Sequence, residues 1–233
     1  MRSLKKLTKS GKHKFLLFFY FSHGGESLDL YNRQKSLNLK IPDSVAVIGV
    51  GGVGSWVALN LALVGVKKLI LVDHDTIEPH NLNRTPFKIS NINMPKVLSI
   101  AEIIYERRQD IEIYPIQKKF EDLNEYEQNL LKQCDVIVDC RDTTNPPLPS
   151  DLQPKQVITA GYDGFNVTIH INPNYNSVWG EEQVTYTVTP SFLVPPQFLA
   201  SLITLYIVCP EIHRSQEKIS TFDIRKIFDF LNL

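Results

Sequence analysis

Between residues 44 and 73 the chain reads as an apolar strand, a glycine turn, an apolar helix, a second strand and an acid. Few folds accommodate that order. Ser44 to Val50 is a continuous, β-branched run, the pattern of a strand buried on both faces of a parallel sheet. Gly49-Val50-Gly51-Gly52-Val53-Gly54 ends it. Val53 to Val64 is apolar nearly all round and predicts a buried helix, with Gly65 as its stop. Lys68 to Asp73 is the next strand. In such a turn Gly49 lets the chain bend sharply, Gly51 and its neighbour Gly52 let phosphate approach the backbone, and Gly54 lets helix and strand pack closely. The helix start presents free N–H groups and a partial positive charge. Asp73, nineteen residues past Gly54, sits where an acid holds a ribose hydroxyl. The expected ligand is a nucleotide.

Further along, Pro95 to Arg108 reads as a helix, Ile111 to Ile116 as a strand, Leu123 to Gln133 as a helix and Cys134 to Cys140 as a strand. Gln156 to Ala160, Phe165 to Ile171, Val184 to Val188 and Ile219 to Ile224 read as strands, residues 172–183 as a loop, Pro196 to Val208 as an apolar helix and Ile227 to Leu233 as an apolar tail that packs on its own domain or a dimer mate. The fold class expected is α/β: a Rossmann-like, doubly wound, mostly parallel sheet with antiparallel additions in the C-terminal half. One domain over residues 1–233 is expected, with 1–26 as a basic arm or added strand. Arg2, Lys5, Lys6, Lys9, Lys12 and Lys14 precede a seven-residue apolar run, Phe15 to Phe21. No small-residue cleavage site follows, so the segment is not read as a secretory signal.

Residues 74–92 are polar, irregular and long for a connection in a compact domain, which marks them as functional. Asn81-Leu82-Asn83-Arg84 places amides and a cation just past Asp73, where extra phosphates would lie. Lys96, in the first turn of its helix, supplies a point charge that reaches back toward them. Asp142 follows the strand ending at Cys140 and faces the same crevice, where a carboxylate beside phosphates holds magnesium. An NAD site explains the glycines and Asp73 but leaves Asn81, Arg84 and Lys96 idle. The cofactors expected are ATP and magnesium.

These residues, with Ser55-Trp56, Asp73-His74-Asp75-Thr76-Ile77, Pro95-Lys96 and Cys134-Asp135 through Asp139-Cys140-Arg141-Asp142, resemble the ThiF/MoeB/HesA family, relatives of ubiquitin-activating enzymes. The resemblance spans roughly residues 30–225 and includes Tyr31-Asn32-Arg33-Gln34, which looks like the family's Tyr-x-Arg-Gln element. It implies an adenylyltransferase that joins the C-terminal carboxylate of a small ubiquitin-like or sulfur-carrier protein, ending in Gly-Gly, to the α-phosphate of ATP. It also implies a homodimer in which Arg33 reaches the partner's ATP site in trans. Arg33, Arg84, Lys96 and Asp142 would be the catalytic groups, and Asp142 the metal ligand. The chain departs from the pattern at Thr143, where the family has Asn. Residues 172–190 contain no cysteine, and the family's C-terminal zinc-binding pair is missing. The reaction would then stop at the adenylate, or the acyl group would pass to a cysteine on another protein.

Lys+Arg 25 balances Asp+Glu 25, so no global field draws nucleic acid or membrane. That weakens a tRNA-modifying dehydratase of the same family, the alternative enzyme. A degenerate scaffold that only binds nucleotide and a partner is the non-enzymatic alternative. Cys134, Cys140 and Cys209 form no Cys-x-x-Cys pair, which argues against a zinc clip or disulfide framework and fits a reducing cytoplasm. Cys134 and Cys140 are expected in the core, Cys209 less so. His74 and His80 are expected to be solvated or hydrogen-bonded, and the histidines show no metal-ligand spacing.

Overall fold

The apolar run at 44–50 becomes the central strand of a seven-stranded sheet. In chain order the strands are β1 (Ser44–Ile48), β2 (Lys68–Val72), β3 (Glu112–Ile116), β4 (Val136–Asp139), β5 (Gln156–Asp163), β6 (Asn166–Ile171) and β7 (Lys218–Asp223). Their order across the sheet is β3-β2-β1-β4-β5-β6-β7. β3 through β5 run parallel, and the β5–β6 and β6–β7 pairs are antiparallel. This computed structural model describes residues 30–141, 148–149, 151–152, 156–172, 190–209, 211 and 218–232. The expected arm at 1–26, Asp142, Thr143, the 172–183 loop beyond Asn172 and the strand at 184–188 lie outside the described residues. All seven strands belong to the unit Tyr31–Leu233.

Side-chain alternation divides the core in two. Val45, Val47, Leu69 and Leu71 enter one apolar cluster, while Ala46, Ile48, Ile70 and Val72 enter the other. Each β1 residue is buried, as a strand covered on both faces requires. Helices α1 (Gly52–Val64), α2 (Lys96–Tyr105) and α4 (Val194–Val208) contribute to the first cluster. Helix α3 (Glu125–Lys132) contributes Leu130 and Leu131 to the second. Pro115 lacks an N–H and sits on edge strand β3, where that loss is tolerated.

Register places the site. Ile48 pairs with Val72 on one side and Asp139 on the other. The next residues, Gly49, Asp73 and Cys140, therefore emerge level at the carboxyl edge, on either side of the point where strand order reverses, the place open α/β sheets bind ligands.

Several boundaries differ from the sequence reading for local reasons. Helix α3 starts at Glu125 rather than Leu123 because Asn124 caps it: Asn124 Oδ1 accepts from Glu127 N–H at 2.9 Å, and Glu127 Oε2 accepts from Asn124 N–H at 2.9 Å. β5 runs on to Asp163 because Tyr162 and Asp163 pair with Val167 and Asn166 across a turn at Gly164. The 74–92 connection is not wholly irregular. It holds short 3-10 turns at Pro79–Asn81 and Ile89–Asn91, with a bridge from Thr76 to Pro95. The apolar tail forms a last short helix, α5 (Ile227–Leu231), but does not bury its rings on its own domain: Phe228 is 56% and Phe230 84% exposed. Cys209 is buried, contrary to its expected place nearer the surface. Among the described residues no helix is long and apolar enough to cross a membrane.

Candidate nucleotide site

Two of the glycines are dictated by backbone contact. Gly49 has φ +82, and a Cβ there would lie 2.8 Å from the Cys140 carbonyl carbon. A Cβ on Gly54 would lie 1.8 Å from the Gly49 carbonyl oxygen, so only glycine lets α1 start this close to β1. Gly51 differs, because a Cβ there meets nothing within 4 Å. Its missing side chain is not needed for packing and leaves open space beside the backbone. Gly51 is also the N-cap of α1, yet no side chain caps the helix and no acid occupies its first turn. The N–H groups of Gly52, Val53 and Gly54 have no acceptor among the described residues.

Asp73 holds the loop from the β2 side. Its Oδ2 accepts from Val50 N–H at 2.6 Å and its Oδ1 from Asp75 N–H at 2.8 Å. Burial pushes its carboxyl above the usual range, against the pull of Lys96 and these two N–H donors. Lys96 is buried and its Nζ lies 2.7 Å from Asp75 Oδ2. Burial also presses Asp75 upward, but the Lys96 hydrogen bond and charge outweigh it and hold that carboxyl low. Lys96 thus occupies the expected flank, already paired; an ammonium has three donors, so others stay available to a ligand.

The Asn81–Arg84 stretch is fixed by its own hydrogen bonds. Asn81 is buried, and its Oδ1 accepts from Glu78 N–H at 3.0 Å. That bond closes the 3-10 turn. Thr85 Oγ1 donates to Asn81 carbonyl at 2.8 Å. Trp56 on α1 latches the stretch to the helix, its Nε1 donating to the Arg84 carbonyl at 3.0 Å. Arg84 itself donates to the His80 carbonyl and to Asn83 Oδ1.

On the far side, Tyr162 at the end of β5 reaches over the start of α1. Its hydroxyl would be 2.8 Å from a Cβ on Gly52 and lies 2.5 Å from Ser191 Oγ. Asn83 Nδ2 donates to the Ser191 carbonyl at 3.4 Å, which ties the two flanks together.

At the end of β4, Arg141 forms a bidentate pair with Asp139 and a 3.0 Å pair with Glu121, over the Phe120 ring. Asp142, the expected magnesium ligand, is the next residue and lies outside the described set. The described residues offer one candidate cluster, Asp73, His74 and Asp75. Sequence spacing did not single out His74 there. The cluster suits a divalent cation poorly, because Asp73 is engaged by backbone N–H groups and the Lys96 ammonium stands on Asp75. His74 and His80 are exposed as expected, each beside a carboxylate, Asp75 and Glu78.

Arg33 stands apart. Gln34 Nε2 donates to the Val64 carbonyl at 2.7 Å, and Arg108 lies over the Tyr31 ring. Arg33 points into solvent from this anchored 3-10 turn, with no partner among the described residues. None of the three cysteines has the marks of an activated thiol. Burial pushes Cys134 up to about 12 and Cys140 and Cys209 upward as well. Sequence reasoning named the glycines, Asp73, Arg84 and Lys96, and missed Tyr162 and Ser191. It quoted Asp75 and Trp56 within motifs without giving them a role, although an Asp-x-Asp pair facing a lysine is a signal for the first.

The strand order, the glycine turn and the acid at the end of β2 define a Rossmann-like α/β domain. The ThiF family model matches residues 29–149, and the chain belongs to that family. It is 31% identical over 98 residues to the adenylyltransferase and sulfurtransferase UBA4 of Yarrowia lipolytica, covering 42% of this chain and 24% of that protein. It is 37% identical over 101 residues to the tRNA threonylcarbamoyladenosine dehydratase of Bacillus subtilis, covering 43% and 39%. The chain thus spans well under half the length of the curated relatives it matches. Among solved structures it resembles E. coli MccB with ATP, at TM-score 0.55 and 19% identity over 71% of this chain and 55% of that one.

Proposed function

We propose that this protein uses ATP to adenylate the C-terminal carboxylate of a small ubiquitin-like or sulfur-carrier protein ending in Gly-Gly. The observation that carries the reading is the meeting, at one edge of the sheet, of an uncapped helix start beside open Gly51 with the Asp73–Asp75–Lys96 and Asn81–Arg84 groups. Family membership supports it, as do the names of relatives such as UBA4.

The chemistry asks little of the protein beyond placement. A terminal carboxyl, with a pKa of roughly 3.3–3.7, is already ionised at neutral pH, so no general base is needed. One carboxylate oxygen bonds to the α-phosphorus as the bond to pyrophosphate breaks, and the electron pair leaves with pyrophosphate. The barrier is repulsion between anions plus alignment, which cations and oriented N–H donors lower. Gly51 to Gly54 would cradle the phosphates, Asp73 would hold the ribose, and Asn81, Asn83, Arg84 and Lys96 would wall the phosphate chain. Arg33, anchored through its neighbours and free to reach outward, would serve a partner protomer of a homodimer. Magnesium, when bound, would neutralise phosphate charge; Asp142 is its proposed ligand. With no activated thiol among the described residues, the acyl group would pass to a cysteine elsewhere or stay as the adenylate. A cytoplasmic location belongs to the same proposal.

The test is ATP–pyrophosphate exchange with a purified carrier ending in Gly-Gly. Exchange should appear only with the free carboxylate and fall about 100-fold in Lys96→Met, as for loss of one transition-state donor. Exchange that is independent of any carboxylate, or unaffected by Lys96→Met, would sink this assignment. The likeness to the Bacillus subtilis dehydratase keeps a second reading: carrier-independent AMP formation stimulated by tRNA would favour it.

A further inference from the structure

The two flanks of the glycine turn carry different chemistry. The β2 flank holds charges, Asp73, Asp75, Lys96 and Arg84. The β5 flank holds two neutral hydroxyls, Tyr162 and Ser191, 2.5 Å apart. β2 and β5 lie on opposite sides of β1 in the sheet. The phenol oxygen lies 2.8 Å from the Cβ position of Gly52, the first residue of α1, so it sits against the first turn of that helix. Glycine at 52 is what admits it. Two hydroxyls share one hydrogen bond between them and retain one proton to donate outward.

We propose that the Tyr162–Ser191 hydroxyl pair positions the incoming carboxylate, on the side of the α-phosphate opposite the departing pyrophosphate. The inference rests on the adenylation reading above. In a displacement at phosphorus the attacking and leaving oxygens stand roughly in line. The cations of the β2 flank suit the pyrophosphate, which gains charge as it leaves. The carboxylate loses charge as it attacks, so a cation beside it would stabilise the ground state more than the transition state and slow the step. A neutral donor aligns it without that penalty. No proton moves to or from Tyr162, and the pair only donates a hydrogen bond while the carboxylate–phosphorus bond forms and the phosphorus–pyrophosphate bond breaks.

The probe is glycylglycyl-sulfamoyladenosine, a stable mimic of the acyl-adenylate, compared with ATP and AMP by calorimetry on the full chain. Tyr162→Phe should weaken the mimic about five- to tenfold, the size of one neutral hydrogen bond, with ATP and AMP affinity held within about twofold. Ser191→Ala should do the same, and the double variant should add little to either single one. Gly52→Ala, whose Cβ would press on the phenol oxygen, should weaken the mimic in the parent and do less harm beside Tyr162→Phe. A purely structural role would lower all three affinities together, and that outcome overturns the proposal. So does a Tyr162→Phe protein that binds the mimic as the parent does, or a parent that binds ATP but not the mimic. A parent that binds neither ATP nor the mimic removes the adenylation reading itself, a pattern distinct from the others. If Tyr162→Phe fails to fold, as a melting curve would reveal, Ser191→Ala and Gly52→Ala decide the matter.

Discussion

The two ends of helix α1 are treated in opposite ways. At the carboxyl end the closing carbonyls find protein donors. Gly65 turns left-handed and donates to Ala62. Arg108 donates to Ala62 and Val66 carbonyls at 2.7 and 2.6 Å, and Gln34 takes Val64. At the amino end nothing is supplied: no capping side chain, no acid, and no acceptor among the described residues for the N–H groups of Gly52, Val53 and Gly54. Each end of any helix leaves several such groups orphaned. One end is closed with a buried arginine and a glutamine, and the other is left bare, where the proposed nucleotide would complete it. The bare end faces the carboxyl edge of the sheet.

The contrast between the ends breaks most violently at Gly54, which belongs to the bare end but to its packing rather than its openness. Gly54→Ala drives a methyl into the Gly49 carbonyl, 1.8 Å away. Backbone cannot yield as a side chain does, so α1 must part from β1, at a cost of about 3 kcal/mol or more. Urea denaturation should record that loss, with a protein too unstable to purify as its extreme form. A near-parental midpoint would mean the turn is looser than its geometry.

Arg108→Ala strikes the closed end. It removes the Arg108 donor from the Ala62 and Val66 carbonyls, of which Ala62 keeps Gly65 N–H, empties the space over Tyr31 and should cost about 2–3 kcal/mol. ATP affinity should stay within about twofold, since the open end is untouched and an energy of that size per contact acts only where the contact is. A variant that keeps its stability but loses ATP would reverse the roles assigned to the two ends.

Arg108 also marks where sequence reading stops. It ends the stretch that reads as a helix and has no role assigned from the sequence, yet only 3% of its side chain is exposed. Nothing local announces that two carbonyls 42 and 46 residues earlier will need it. The strand–turn–helix was legible because β-branched runs and glycines act over a few residues. Asp73 and Lys96 were legible as members of a spaced pattern, but the Lys96–Asp75 pair depends on where α2 starts in space, 21 residues along. Asn81 was expected to orient a phosphate; that its side-chain oxygen also closes a turn on Glu78 N–H was not legible in its spacing. Tyr162 and Ser191 escaped notice because neither the end of β5 nor the stretch just before α4 that carries them holds a motif. The exposed rings of α5 were invisible for a related reason, as an apolar tail reads the same whether covered or bare.

Gly51→Asp sharpens the contrast by giving the bare end what it lacks. Gly51 has an ordinary negative φ of −87 and open space around it, so a side chain fits. A carboxylate at an N-cap should stabilise the free protein by a few tenths of a kcal/mol. The same charge would occupy the phosphate position and should weaken ATP at least about tenfold, or 1.4 kcal/mol. Opposite signs from one substitution, read as a raised melting midpoint with a weaker calorimetric Kd, are the signature of a site held open for an anion. Unchanged ATP affinity would show that phosphate does not bind at this helix start.

The smallest effect concerns the acid that holds the open end in shape. Burial outweighs Lys96 and the two backbone N–H groups at Asp73, so its carboxyl titrates above the ordinary 3.8 in the folded protein. Between 3.8 and that raised value the folded state binds more protons than the unfolded one. Stability must then fall as pH rises through this window and recover as pH falls through it. Asp73→Asn removes the titration while keeping the shape. Urea midpoints of both proteins from pH 4 to 8 should therefore show the parent losing ground to the variant on the way up, then a constant gap once Asp73 is ionised. The reverse slope, with the parent gaining as pH rises, would mean that Val50 N–H, Asp75 N–H and Lys96 dominate over burial. The loop would then be held by a fully committed anion, and the cradle would be set before any nucleotide arrives.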